Sequence, residues 1–349
     1  MGFLDKIFGS NINNIITNDM GIDLGTANTL VYIKGQGIVV DEPSVVAIRE
    51  DNNEILAVGA KANEMIGRTP ENIVAIKPIS EGVISDFEAT QAMVSYFIQK
   101  GSKGVVSPKI IIGVPYGITK VEKKAIEEAA IQAGGREVYI LEEPMAAAIG
   151  ADLNVNDPEG NMIVDIGGGT SEIAVISLGG IVVANSIRIG GDEFDESIIN
   201  FIRAEYNIVI GPKTAENIKL AIGSAFPAEL EREMKVSGRD VLTGLPRTIT
   251  IGSTEIREAM REPISQVVDA IRTTLEQTPP ELASDIMDKG IVLTGGGSLL
   301  RDFDKLIKSE TDLNVKIAEN PLECVVNGTG KAIENELIFD SIVKINAES

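Results

Sequence analysis

The 349-residue chain has no histidine and no tryptophan, a single cysteine, and only 4% aromatic residues. Without histidine there is no Ser-His-Asp or Cys-His nucleophilic machinery and no histidine-ligated zinc. Cys324, being alone, can close no internal disulfide and no Cys-x-x-Cys pair, which suits a reducing compartment. In the stretch Cys324-Val325-Val326 it reads as a small buried apolar side chain. Chemistry is thereby confined to carboxylates, hydroxyls, lysines, backbone amides or a bound metal. Basic residues are also short, 31 Lys and Arg against 52 Asp and Glu, for a net charge of −21. Such a surface repels phosphate backbones and argues against a nucleic-acid partner. No run of about 18 apolar residues is present to span a membrane as a helix. The N-terminus also lacks the basic region, long apolar stretch and cleavage site of a secretory signal, so a cytoplasmic location is expected.

What is present is an ordinary globular composition, 44% apolar and 24% charged, long enough for two or more domains with cores of Val, Ile, Leu and Ala. Residues 1–18 stand apart. Phe3, Leu4, Ile7, Phe8, Ile12, Ile15 and Ile16 recur at the three- and four-residue spacing of one helix face. Two readings fit: an amphipathic segment in a membrane interface, or a helix packed on its own domain. The presence of two phenylalanines in a chain so poor in aromatics favours the membrane.

From Met20 the pattern is strand, glycine turn, strand, and short strands continue to about residue 60. A helix over 86–100 with Asp86 as N-cap, a buried strand over 109–114 and a helix over 120–133 follow. The last of these places Val121, Ala125, Ile126 and Ala129 on one face and reads Glu122, Lys123, Lys124, Glu127 and Glu128 as a solvated one. Another helix begins at 143, and Asn156-Asp157-Pro158-Glu159-Gly160 marks a hinge. The second half then opens as the first did: Met162-Ile163-Val164-Asp165-Ile166-Gly167-Gly168-Gly169-Thr170 aligns with Met20-Gly21-Ile22-Asp23-Leu24-Gly25-Thr26-Ala27-Asn28. Helices are expected over 192–206, 213–225 and 254–276. A buried strand, 291–294, runs into Gly295-Gly296-Gly297-Ser298 and a further helix. A single large duplication of alternating strands and helices implies an α/β fold.

A glycine turn at the end of a buried strand can aim successive backbone N–H groups at an anion, and an Asp beside it can face a hydrated divalent cation on the same phosphates. One such turn by itself reads first as a hairpin whose Asp holds its own turn amides. Two copies in register, with a third glycine-rich turn at 295–298, point to a bound di- or triphosphate. The sequence Gly328-Thr329-Gly330-Lys331-Ala332 lacks the Ser/Thr and the spacing of a P-loop.

The two Asp-x-Gly turns and the Leu293-Thr294-Gly295-Gly296-Gly297-Ser298 segment resemble the phosphate and adenosine motifs of the actin, Hsp70 and sugar-kinase superfamily. Gly113-Val114-Pro115, Gly117-Ile118-Thr119, Leu141-Glu142-Glu143-Pro144-Met145-Ala146-Ala147-Ala148-Ile149-Gly150 and Gly190-Gly191-Asp192-Glu193-Phe194-Asp195 resemble, more specifically, the MreB family of bacterial actins, over about residues 20–335. The resemblance implies an actin-like fold of two duplicated α/β domains, each with a smaller subdomain, around a central nucleotide cleft. Domain I would be 19–155 with 325–349 (small subdomain about 43–88), and domain II 156–324 (small subdomain about 194–262).

It further implies ATP and Mg²⁺ as ligands. Thr26, Ala27, Asn28, Gly168, Gly169 and Thr170 would contact the phosphates, and Asp23 and Asp165 would face the hydrated metal. Gly295, Gly296, Gly297, Ser298 and Leu299 would line the adenosine pocket, with Glu216 and Lys219 reaching the nucleoside. Glu143, assisted by Thr170, would orient the attacking water; read without the resemblance, Glu143 is a first-turn helix acid followed by Pro144. Phosphoryl transfer needs positioning and charge neutralisation rather than a covalent nucleophile, so a chain without histidine can perform it.

The implied activity is slow ATP hydrolysis coupled to assembly of membrane-associated filaments, paired and antiparallel, that organise cell-wall synthesis and set rod shape. The implied partners are further copies of the chain, the inner face of the cytoplasmic membrane, and the cell-wall elongation machinery, such as RodZ, MreC and MreD. Membrane contact would come from Phe3, Leu4, Ile7 and Phe8 with Val105 and Val106. Val121 would be a lateral filament contact or an ordinary packed helix residue. The chain departs from the family at Ala221, where a carboxylate is expected, and at Tyr116, which is bulkier than usual. An Hsp70-like chaperone would need a peptide-binding domain for which no room follows before Ser349, and a small-molecule kinase an acceptor site with a general-base Asp.

Overall fold

The computed structural model describes residues 18–102, 106–227, 230–336 and 338–340. Phe3, Leu4, Ile7 and Phe8, and Val105 of the expected membrane loop, lie outside the described residues; Val106 is described and partly exposed. The chain forms two compact units, one running up to Asp157 and resuming at Glu323, the other spanning Pro158–Leu322.

The first unit opens with β1 (Met20–Leu24), buried along its whole length, followed by β2 (Asn28–Ile33) and β3 (Gly37–Pro43). A three-stranded antiparallel sheet follows, made of β4 (Val46–Arg49), β5 (Glu54–Val58) and, after the short helix α1 (Ala60–Asn63), β6 (Ile73–Ile76). The hairpin β7 (Ile79–Ser80) and β8 (Val83–Ile84) leads to α2 (Phe87–Gly101), whose N-cap Asp86 accepts the amide of Ala89. Then come β9 (Lys109–Val114), α3 (Lys120–Gln132), β10 (Glu137–Glu142) and α4 (Glu143–Gly150). The main sheet has the order β10-β9-β1-β2-β3, with β1, β9 and β10 parallel and β2 and β3 a meander. Its core is aliphatic, Ile22, Val31, Ile110 and Ile112 against Met93 and Phe97 of α2.

Helix α3 corrects two sequence expectations. Its buried face is Ile126, Ala129 and Ala130, and Val121 is 72% exposed. At 3.6 residues per turn, Val121 lies roughly 130° round the helix from the centre of that stripe and turns away from the core. Glu122 is not merely solvated: it closes a capping box, its carboxylate accepting the Thr119 amide while the Thr119 hydroxyl accepts its own.

The second unit repeats the plan. It runs β11 (Asn161–Ile166), β12 (Ser171–Ser177), β13 (Gly180–Ile187), α5 (Gly191–Tyr206), β14 (Ile208–Val209) and α6 (Pro212–Ile222). It continues with β15 (Glu233–Asp240), β16 (Pro246–Gly252), α7 (Ser253–Gln277), α8 (Pro280–Lys289) and β17 (Ile291–Thr294). After β17 the glycine-rich segment is a 3₁₀ turn, Gly296–Leu299, and the following helix α9 (Phe303–Thr311) starts only later, before β18 (Val315–Ile317). Helix α6 stops at Ile222, short of the expected residue 225, with Gly223 as C-cap donating to the Lys219 carbonyl. The sheet order β13-β12-β11-β17-β18 matches that of the first unit strand for strand, and both meanders carry a register shift in their second hairpin.

At Glu323 the chain returns to the first unit as α10 (Cys324–Glu334). This helix packs on α4 with almost nothing between the two backbones. A Cβ on Gly328 would lie 1.9 Å from the Ala146 carbonyl oxygen, and one on Gly150 would lie 1.8 Å from that of Cys324. Lys331 closes the joint by donating to the carbonyls of Ile149 and Gly150 and to Asp152, at 2.7–3.2 Å, at the C-terminal end of α4. The Gly-Thr-Gly-Lys string is thus a helix-packing surface, and Cys324 is buried within it.

Candidate nucleotide site

In the first unit, Asp23 is buried near the end of β1, and the chain turns through Gly25, Thr26 and Ala27 into β2. The turn admits only glycine at its start, since a Cβ on Gly25 would sit 2.7 Å from the Asn28 carbonyl oxygen. Ser44 braces it from behind: its hydroxyl donates to the Gly25 carbonyl, its amide donates to that of Ala27 at 2.9 Å, and it shares a hydrogen bond with Thr29. Thr26 is buried, while Ala27 and Asn28 are exposed at the tip, Asn28 donating to Asp41 at 2.8 Å. Asp23 pairs across the parallel ladder with Gly113, and the Glu143 side chain reaches to 3.8 Å from where a Gly113 Cβ would be. Glu143 is the first residue of α4, 8% exposed and followed by Pro144, so its carboxylate lies at the positive end of the helix dipole. The structure thus brings Asp23, the 25–28 turn and Glu143 to one end of the same sheet.

In the second unit Asp165 occupies the corresponding place. It is fully buried and accepts a hydrogen bond from the Thr294 hydroxyl at 2.9 Å. Burial pushes its carboxyl up to about 6, and the Thr294 bond pulls the other way. The turn closes through Gly167 N–H to the Thr170 carbonyl at 2.8 Å, and Thr170 is buried. The Gly167 and Gly168 carbonyls are taken up by the amides of Gly191 and Asp192, at 3.0 and 2.8 Å. This backbone-to-backbone approach requires glycine, because a Cβ on Gly190 would lie 2.6 Å from the Gly168 oxygen.

The adenosine segment is seated against the same strand end. Gly295 has a positive φ of 77°, and its Cβ would strike the Ile166 carbonyl at 2.3 Å and the Asp165 carboxylate at 2.7 Å. Gly297 approaches the Ile166 side chain as closely, and Gly296 lies against Leu322. Ser298 is buried and donates to the Gly295 carbonyl at 2.7 Å, so it secures its own turn; Leu299 is half exposed. On α6, Glu216 is exposed and Lys219 lies one turn further on, its ammonium donating to the Gly191 carbonyl at 2.8 Å and to Asp195 at 3.0 Å. Residues 165–170, 190–195, 219 and 294–298 therefore form one connected group within this unit.

Sequence reasoning missed Ser44, Thr294 and Asp195. Thr294 and the Gly190-Gly191 pair stood in recognisable strings without a role, whereas nothing local marks Ser44 as the brace of a turn nineteen positions earlier.

The donor set suits a hydrated cation held largely by phosphate oxygens. Asp165 is a buried carboxylate whose charge the Thr294 hydroxyl offsets only in part, and among the described residues there is no group of three or more acidic or sulfur side chains that could hold a metal ion.

The family model for MreB/Mbl protein matches residues 17–340. The chain is 54% identical over 327 residues to the cell shape-determining protein MreB of Escherichia coli (strain K12), covering 92% of this chain and 94% of that protein. The crystal structure of MreB5 of Spiroplasma citri bound to ADP superposes with a TM-score of 0.86 at 42% identity, over 95% of this chain and 98% of that one. The same protein bound to AMPPNP gives 0.85 at 41%, over 94% and 97%. The MamK double helical filament, at 22% identity and a TM-score of 0.76 over 90% of this chain and 98% of that one, shares the actin-like fold. With this match along nearly its whole length, the chain belongs to the MreB/Mbl family.

Proposed function

We propose that this protein is an ATP-binding, slowly ATP-hydrolysing bacterial actin whose filaments associate with the cytoplasmic membrane and organise cell-wall synthesis to set rod shape. The observation that carries the reading is the pair of Asp-x-Gly turns at corresponding strand ends of two sheets with the same strand order. The MreB5 structures with ADP and AMPPNP support a nucleotide as the ligand, and the name of the E. coli relative supports the role in cell shape.

Thr26, Ala27 and Asn28 from the first unit and Gly168, Gly169 and Thr170 from the second would contact phosphates. Gly295–Leu299, Glu216 and Lys219 would hold the nucleoside. Asp23 and Asp165 would face Mg²⁺, which when bound neutralises phosphate charge. Glu143 would orient a water and draw off its proton, held in place by the first turn of α4. Copies of the chain would associate with one another, pairing antiparallel through Val121, while residues 1–18, Val105 and Val106 would touch the membrane and the filament would engage RodZ, MreC and MreD. The exposure of Val121 leaves it available for such a contact.

Sedimentation at micromolar concentration with ATP and Mg²⁺, with phosphate release followed in the same samples, tests the reading. The protein should pellet, and Glu143→Ala should bind ATP almost as the parent does while releasing phosphate roughly a hundredfold more slowly. A chain that stays monomeric would end the cytoskeletal reading, and unchanged release would remove Glu143 from its role.

A further inference from the structure

Lysine carries its charge on a flexible four-carbon stem, so a lysine that must meet a ligand gains from being held in place beforehand. Lys219 is so held. Its ammonium has three donors; one goes to the Gly191 carbonyl at 2.8 Å and one to Asp195 Oδ2 at 3.0 Å, leaving a third for a ligand. Both side chains are largely withdrawn from water, 14% exposed for Lys219 and 13% for Asp195.

The anchor is itself rigid. Gly191 is tied to Gly167 and Asp192 to Gly168 through backbone hydrogen bonds, and Glu193 accepts the Gly190 amide at 2.6 Å at the start of α5. Asp195 Oδ1 is buried with no hydrogen-bond partner among the described residues, so the contact of Oδ2 with Lys219 is what secures this carboxylate. A buried pair of this kind is near break-even for stability, and its yield is geometric.

We propose that Asp195 is a positioning residue for nucleotide binding: its carboxylate fixes the Lys219 ammonium against the Gly191 carbonyl, aligning α6 with the 167–170 turn so that Lys219 meets the nucleoside already oriented. The inference rests on the nucleotide reading of Lys219 given above. Because the 167–170 turn is braced by the backbone of Gly191 and Asp192, phosphate contacts do not depend on the Asp195 carboxylate.

The test is calorimetric titration of Mg-ATP and, separately, Mg-tripolyphosphate into the full chain, below the concentration at which it assembles. Parent, Asp195→Asn, Lys219→Met, the double variant and Asp195→Glu are compared. Asp195→Asn should weaken Mg-ATP about tenfold, in keeping with loss of a charge-assisted hydrogen bond. The double variant should match Lys219→Met within about twofold, because the carboxylate acts only through the lysine. Asp195→Glu should recover part of the loss, and tripolyphosphate binding should stay within about twofold throughout. The proposal is overturned if the two substitutions multiply in the double variant, if Asp195→Asn leaves Mg-ATP binding unchanged, or if tripolyphosphate binding falls in step with it, the mark of general disruption. Failure of the underlying reading looks different: Lys219→Met would then leave Mg-ATP affinity intact, or the parent would not bind Mg-ATP at all.

Discussion

Two aspartates in the second unit, Asp165 and Asp195, are pushed up to about 6, in both cases chiefly by burial. For Asp195 the Lys219 charge and hydrogen bond pull down, while Glu216 and Asp192 push up. A carboxyl whose folded-state pKa lies above its ordinary value of 3.8 binds protons more tightly in the folded chain. Its stabilising contribution is complete below about pH 4 and is lost as the pH rises through about 6. Asparagine does not titrate. The difference in urea midpoint between Asp195→Asn and the parent should therefore move in favour of the variant from about pH 4.5 to 7 and level off above that. A difference that stays constant over the range would show that Asp195 does not titrate there. At neutral pH, where filaments would work, the carboxylate is charged and able to hold Lys219.

Among the elements, α10 approaches α4 closely enough that the contact depends on glycine at two crossing points. Gly328→Val puts a branched side chain where the Ala146 carbonyl stands, so the helices must part. A loss of about 1–3 kcal/mol or more is expected in chemical denaturation. A change below about 0.5 kcal/mol would mean that the contact yields easily. This joint also marks the limit of what the sequence discloses. Strand-turn-strand segments, the Asp86 cap and the glycine turns of the site are legible because the residues that determine them are neighbours in the chain. The packing role of Gly328 and Lys331 is set by a helix some 180 positions earlier. Ser44 and Thr294 likewise reach the site only through strand pairing. Val121 was misplaced for a smaller reason: Ala125 and Ala129 lie between Val121 and Ile126 on the helix surface, so a stripe drawn toward either one includes them.

For the molecule as a whole, the duplication is also a division of labour. Asp23 and Asp165 hold equivalent positions, yet the residue beside each on the parallel strand differs: Gly113 in the first unit, Thr294 in the second. Thr294 places a hydroxyl on Asp165, whereas Gly113 leaves space occupied by Glu143. On the proposed reading, a chain with a net charge of −21 offers anionic lipid no attraction, so membrane binding would rest on apolar insertion by Phe3, Leu4, Ile7 and Phe8. Burying Phe3, Leu4, Ile7 and Phe8 would contribute roughly 6–12 kcal/mol gross, much of it offset by ordering the backbone, and many copies in a filament would compensate for weak single attachment. With ATP present, the full chain should float with liposomes and a chain lacking residues 1–18 should not; equal flotation of the two would refute the anchor.

The return of α10 to the first unit has a consequence for how the protein is made. The second unit, Pro158–Leu322, is continuous in sequence and has all its residues in hand while the chain is still growing. The first unit, though begun earlier, waits for a helix synthesised only after the whole second unit before α4 and β1 gain their neighbour. On the ribosome, the half that starts second is the first that can finish.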